Sequence, residues 1–168
     1  NQVYARVKRS FRAAIDLSDN TPGWKFAQYE MKGVPLRLEI GPKDIEKNQC
    51  VLVRRTDREK LFVSLDNLEE AIQEQLSIVR QQMFDKALAR RESMTYEART
   101  LDELIDIAAN KPGLIKAMWC GDEACEQKLK DDAGVSSRCI PFEQEHLSDV
   151  CVCCGKPAKS MVYWGKAY

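Results

Sequence analysis

The sequence predicts an α/β segment followed by a small α+β module built around cysteines, and three observations carry that prediction. Leu36, Leu38 and Ile40 alternate with Arg37 and Glu39, the period of a half-buried strand. Leu68, Ile72, Leu76, Val79 and Met83 recur at helical spacing and mark one apolar face of a long helix. Six of the seven cysteines lie after residue 119, so the composition changes character along the chain.

In chain order, Val3, Val7, Phe11 and Ala14 keep helical spacing and predict an opening helix, with Ala13 to Leu17 as a candidate short strand. Ser18 to Gly23 (SDNTPG) is turn chemistry. The alternation in WKFAQYE, Trp24 to Glu30, predicts a strand that Met31 to Pro35 breaks. After the strand at Leu36, Gly41-Pro42 ends the run and Lys43 to Lys47 reads as a short helix with Pro42 near its first turn. Cys50 to Arg54 and Leu61 to Leu65 read as a hairpin across the polar stretch 55–60. The long helix starts at Asp66 and runs to about Glu92. Thr100-Leu-Asp-Glu103 is a capping-box signature ahead of Leu104 and Ile107, and 110–113 stops that helix. Leu114 to Trp119 reads as a strand leading into Cys120, and Asp122 to Asp131 as a helix closed by Gly134. Ser137 to Phe142 and Met161 to Trp164 read as strands.

Length and charge narrow the function classes. With 168 residues the chain holds one ordinary domain, or a modest one plus a small module. No apolar stretch approaches the roughly 20 residues of a membrane span, and no secretory-type apolar run opens the chain; a cytoplasmic location without membrane contact is expected. The formal net charge is zero, which argues against nucleic-acid binding by bulk charge and confines any such contact to local geometry. Between Trp24 and Lys60, nine Lys or Arg stand against six Asp or Glu, a surplus sufficient for a phosphate contact or two.

An odd cysteine count without a signal peptide points to a reduced compartment, where clustered thiols bind metal. The spacing is Cys120-x4-Cys125, 25 intervening residues, then Cys151-x2-Cys154. Each short spacer lets two sulfurs face one ion, and the long stretch lets two loops converge on it. Gly121 and Gly155 follow the first and last of these cysteines and let the backbone bend tightly there. Cys153 leaves open the pairs Cys151/Cys153 and Cys153/Cys154, although adjacent side chains diverge. Four thiolates close the coordination shell, so the ion is expected to be a structural zinc, and the same site accepts iron. Cys50 and Cys139 sit in apolar strand contexts and read as small core residues. Buried reduced thiols or redox thiols are the competing accounts of the cluster.

Other catalytic chemistry is missing from the pattern. His146 is the single histidine, in the polar stretch EQEHLSD, and reads as a surface residue. Neither GxxxxGK[ST] nor GxGxxG occurs. The segment Pro22 to Asp44 is different, because it concentrates Lys25, Glu30, Lys32, Arg37, Lys43 and Asp44 within a few elements. Fixed acid–base pairs are what reading an unpaired base requires: a carboxylate accepts from guanine N1–H and N2–H2, and Arg or Lys donates to O6 and N7. On pattern alone a salt-bridged sheet face is the plainer account.

The stretch GWKFAQYEMKGVPLRLEIGPKDIEKNQ resembles the anticodon-binding domain of prolyl-tRNA synthetases. The branch is the archaeal and eukaryotic-like type, which carries a C-terminal zinc-binding domain and no inserted editing domain. IKAMWCGDEACEQKLKDDAG, SRCIPFEQ and CVCCGKPAKSMVYWGKAY extend the resemblance, in order, over nearly the whole chain. The resemblance implies a mixed sheet with flanking helices, its first strand absent, followed by a small α+β zinc-binding domain. It implies that Glu30, Arg37, Lys43 and Asp44 read the two guanines of the proline anticodon, with Lys60 as a further contact. It implies zinc on Cys120, Cys125, Cys151 and Cys154, and a Tyr168 carboxylate that reaches toward the synthetase active site.

The implied organisation is an anticodon-binding domain over 1–66, a connecting helix over 67–97 and a zinc-binding domain over 98–168. The implied partner is the anticodon stem-loop of tRNA(Pro), and the parent enzyme is expected to be a homodimer. That parent, a class II proline–tRNA ligase, uses ATP in a catalytic domain absent from this chain, which is expected to be inactive alone. The alternative is a stand-alone zinc-stabilised module that binds protein.

Overall fold

The computed structural model describes residues 2–167. The chain divides into two compact units, Asn1–Lys86 and Ala87–Tyr168, the division falling within one long helix.

The first unit contains α1 (Gln2–Val7), α2 (Pro22–Met31), β1 (Leu36–Glu39), α3 (Pro42–Glu46), β2 (Gln49–Arg54), β3 (Lys60–Ser64), a 3-10 turn (Leu65–Asn67) and the start of α4 (Leu68–Ser93). Its described strands form one antiparallel sheet in the order β1-β2-β3. Register separates the two faces. Leu38 pairs with Leu52, and Cys50 with Val63. These residues meet Leu68, Ile72 and Leu76 of α4 and form the core, in which Cys50 is fully buried. Arg37 pairs with Val53, and Val53 with Lys60, so these three share the opposite face, as strand alternation requires.

Two expectations fail in this unit. The segment Trp24–Glu30 is helix, not strand. Thr21 accepts a hydrogen bond from the Trp24 amide at 3.4 Å, and Pro22 occupies the first turn, so the Thr-Pro pair is a helix start and not part of a turn. The alternation read over seven residues is also satisfied by Phe26, Tyr29 and Glu30 on one helical face. Secondly, α1 ends at Val7 and residues 12–17 form no strand. No described residue pairs with that stretch, and a lone strand has no ladder to hold it; Phe11 and Ala13 still pack on the core.

One buried charge organises the β2–β3 loop. Arg54 is 6% exposed and lies on the core face. Its Nε donates to Asp57 Oδ2 at 3.0 Å, and its other nitrogens reach Glu59 and Gln75. The hydrogen bond from Arg54 holds the Asp57 carboxyl well below the usual carboxylate range, and a second from Gln82 adds to it. Buried charges persist only when paired this fully.

The second unit contains β4 (Thr95–Glu97), α5 (Leu101–Asn110), β5 (Leu114–Trp119), α6 (Glu123–Ala133), β6 (Val135–Cys139) and β7 (Ser160–Lys166). The sheet order is β4-β5-β7-β6, with β4 and β5 parallel and the other pairs antiparallel. The mixed pairing thus lies here. The capping box of α5 forms as expected: Thr100 Oγ1 accepts from the Glu103 amide at 3.2 Å, and Glu103 accepts in return from the Thr100 amide. Trp164 is fully buried in the core, edge-on to Trp119 with ring centroids 6.0 Å apart. Strand β6 starts two residues earlier than expected and ends at Cys139, so Ile140 and Phe142 are exposed. Cys139 is exposed as well, which corrects its reading as a core residue: it closes an edge strand beyond a register shift. The three-residue β4 was too short to register as a period.

Gly113 sits where β4 and β5 converge. Its φ is +139°, and a Cβ there would lie 2.0 Å from the Met94 carbonyl oxygen, which accepts the Leu114 amide at 2.9 Å. Gly113→Ala is therefore expected to lower the unfolding free energy by more than about 2 kcal/mol, read from the urea midpoint. Gly23→Ala, in open space within α2, is expected to be neutral or slightly stabilising.

Candidate functional site

The charged residues of the first unit converge on one sheet face and one helix end. Glu30 lies in the last turn of α2 and Arg37 on β1. Arg37 Nη1 donates to Glu30 Oε1 at 3.0 Å, and its Nε donates to Glu39 Oε1 at 2.8 Å. The guanidinium also stacks on Phe26, 3.7 Å from the ring centroid. Among the described residues Arg37 Nη2 makes no hydrogen bond, so donors remain on a planar, fixed group. Glu30 Oε2 forms an ion pair with Arg58 at 3.5 Å.

Lys43 and Asp44 occupy the first turn of α3. The Asp44 carboxylate also ties down its own turn, since Oδ2 accepts the Gly41 amide at 3.0 Å and Oδ1 accepts from Gln49 at 3.2 Å. Lys60 opens β3, exposed, and shares the Arg37 row of the sheet through Val53. Glu30 and Arg37 are thus in direct contact and Lys60 shares their face, while Lys43 and Asp44 stand on the neighbouring helix. The salt-bridged face that the pattern also allowed is what the free chain displays. Sequence reasoning missed Arg58 and Glu39; the Arg37-x-Glu39 spacing on a strand was the available signal for the latter.

In the second unit, Cys120, Cys125, Cys151 and Cys154 place their sulfurs within 4.8 Å of one another. Cys120 Sγ is 3.7 Å from that of Cys125 and 3.8 Å from that of Cys154. A tetrahedral ion with metal–sulfur bonds of about 2.3 Å sets its sulfurs about 3.8 Å apart, so the four thiols fit a metal ion. Bonded sulfurs stand about 2.05 Å apart, and these cysteines are free.

Local sequence builds each half of the cluster. Cys120 follows β5, Gly121 turns the chain at φ +85°, and Asp122 caps α6 so that Cys125 falls in its first turn. Cys151 and Cys154 lie in a tight turn closed by the Gly155 amide on the Cys151 carbonyl at 3.0 Å. The Val152 amide donates to Met118 O, and the Lys159 amide to Trp119 O, which docks this turn on the end of β5. Burial pushes the Cys120 and Cys125 thiols up. The Lys156 amide pulls Cys154 down to about 7. Cys153 falls outside the four-sulfur group.

The remaining assigned residues are simply placed. His146 is exposed and 3.0 Å from Asp149, as expected of a surface histidine. Tyr168 lies outside the described residues. Among the described residues no helix is long and apolar enough to cross a membrane.

Residues 1–75 match the family described as the anticodon binding domain, and residues 101–168 match that described as prolyl-tRNA synthetase, C-terminal. The chain belongs to the prolyl-tRNA synthetases, as a C-terminal portion. It is 63% identical to the proline–tRNA ligase of Clostridium novyi (strain NT) over 99% of its length, and 58% identical to proline–tRNA ligase 2 of Bacillus thuringiensis subsp. konkukian. In both cases it spans 35% of the relative. A crystal structure of prolyl-tRNA synthetase from Cryptosporidium parvum, complexed with L-proline and AMP, superposes with a TM-score of 0.91 at 34% identity, over 99% of this chain and 36% of that one.

The fit of the four thiols to a metal ion can be checked directly. With a metal ion on these four thiols, Cys125→Ser is expected to lose it and Cys153→Ser to retain one ion per chain, by elemental analysis of the purified proteins.

Proposed function

We propose that this chain is the tRNA-reading and metal-stapled portion of a proline–tRNA ligase. The partner is tRNA(Pro), bound at its anticodon. The observation that carries the reading is the Glu30–Arg37 pair, held on the anticodon-binding unit with outward-facing hydrogen-bonding capacity. Arg37 is fixed by Glu30, Glu39 and Phe26, so it loses little freedom on binding a base. Its uncommitted Nη2 suits guanine O6 or N7, and the Glu30 oxygens, each with a second lone pair, suit N1–H and N2–H2. Lys43, Asp44 and the exposed Lys60 complete the reading of the two guanines.

The metal is proposed to be zinc. Four sulfurs with tetrahedral-type separations leave no open position for water or substrate, which makes the ion structural. Proline activation with ATP and transfer to the tRNA 3′ end are then the chemistry of the part of the ligase that this chain does not span, since it covers 35% of its relatives.

Binding to short RNA stem-loops tests the reading. The chain is expected to prefer a GG-containing anticodon loop over a CC-containing one, and Glu30→Ala to reduce that preference by about 1–3 kcal/mol. Glu30 is the cleaner probe than Asp44, whose carboxylate also satisfies the Gly41 amide. Equal binding of both loops by the parent chain would instead favour a zinc-stabilised protein-binding module. Proline-dependent ATP–pyrophosphate exchange by the 168-residue chain alone would contradict the division of labour.

A further inference from the structure

The β2–β3 loop carries a residue that neither sequence pattern nor fold assigns. Arg58 is the guanidinium 3.5 Å from Glu30 Oε2, and its side chain is 78% exposed. Its backbone is left-handed, φ +62°, an uncommon conformation for a residue with a Cβ. The loop holds that conformation because it is tied down on the far side. The Arg58 amide donates to Arg54 O at 2.9 Å, the Glu59 amide to Asp57 Oδ1 at 3.0 Å, and Gln82 to Asp57 Oδ2 at 2.7 Å. Arg54, buried beneath, binds Asp57 and Glu59. A rigid loop thus delivers an exposed guanidinium to Glu30, one of the two carboxylates assigned to base reading. A small cavity of about 20 Å³ lies against the same groups, lined by Phe26, Glu30, Arg37 and Arg55 among others. Arg55 lines the same cavity, and among the described residues its buried Nε has no hydrogen-bond partner.

The geometry points to Arg58 as a positioning residue for guanine reading, an inference that rests on the anticodon function proposed above. Arg37 donates a hydrogen bond to Glu30 Oε1 and the Arg58 guanidinium stands 3.5 Å from Oε2, so a cation flanks each oxygen and favours one setting of the carboxylate. Each oxygen keeps a further lone pair for guanine N1–H and N2–H2. In this proposal Oε2 is the oxygen that meets the 2-amino group, and without Arg58 it loses the cation that favours its setting, so that contact weakens. An ion pair this exposed adds little to folding, so its removal registers in recognition.

The test compares a GG anticodon stem-loop with loops in which inosine, guanine without its 2-amino group, replaces each G in turn. The parent chain is expected to lose roughly tenfold in affinity for one of these replacements. Arg58→Ala is expected to shrink that loss to within about threefold while leaving the thermal midpoint and zinc content unchanged. Glu30→Ala should abolish the inosine effect, and adding Arg58→Ala to it should change nothing further. If Arg58→Ala weakens every loop equally and keeps the inosine penalty, Arg58 is a phosphate contact and the positioning role is wrong. Unchanged binding and unchanged penalty would overturn it too. If Glu30→Ala itself leaves the penalty intact, the base-reading assignment of Glu30 has failed, and that outcome is distinct from a failure of Arg58 alone.

Discussion

Four sulfurs brought within 4.8 Å of one another are the constraint on which the second unit depends. Three of the four cysteines are buried, burial raises two of their thiols, and Cys120 contacts Cys125 and Cys154 through sulfur alone. With an ion the cluster becomes a closed four-thiolate shell, and the binding free energy counts as folding free energy. The backbone makes this more than a local staple. Hydrogen bonds from Val152 to Met118 and from Lys159 to Trp119 hang the second ligand turn directly on the end of β5. Trp119, the last residue of that strand, also packs edge-on to the buried Trp164. The cysteine cluster and the aromatic pair therefore meet at the same end of one strand, and a module this small gains from having both.

The first unit uses charge in two different ways. Arg54 is buried and paired on every side, which makes it a structural hub: removing one partner from such a set leaves the others desolvated. Glu30, Arg37 and Glu39 are only about three-quarters shielded, with side-chain exposures of 27%, 21% and 26%. Pairs with that much solvent contribute on the order of 1 kcal/mol or less. A base edge can therefore reach the uncommitted donor and lone pairs of these groups without first breaking a strong interaction. The buried hub supports the loop, and the partly shielded pairs face the solvent.

Most of this was legible in the sequence where a period or a spacing was long enough to carry information. The apolar face of α4, the capping box of α5 and the β2–β3 hairpin each extend over enough residues to exclude alternatives. The cysteine spacing foretold the cluster because two short loops are the only economical way to surround one ion. Failures came where the local signal was short or ambiguous. In α2 a seven-residue alternation outweighed the Thr21-Pro22 start signal, and nothing local distinguishes the two periods over that length. Residues 13–17 have strand character without a described partner, and pairing is a property of the fold and not of the segment. Cys139 shows the limit of context: apolar neighbours suggested burial, but a bulged edge strand turned the whole group outward. Arg58 was invisible for a deeper reason, since its meaning depends on a loop conformation set by Arg54.

A net charge of zero is compatible with the RNA-binding role proposed here, and it says what kind of recognition to look for. Affinity drawn from phosphates grows with the number of basic contacts and falls steeply with salt. A face on which Glu30 and Glu39 stand among the arginines gives up part of that attraction, because each carboxylate repels the backbone it approaches. What the carboxylates add is rejection. A pocket built to accept hydrogen bonds leaves its acceptors unpaired and desolvated when the wrong base enters, and that penalty exceeds what the right base gains. Discrimination then depends on how firmly the acceptor is held, because a carboxylate free to rotate finds other partners and relaxes the penalty. The acid–base pairing that looks, in the free chain, like an ordinary salt-bridged sheet face is in this reading the device that keeps the acceptors in place.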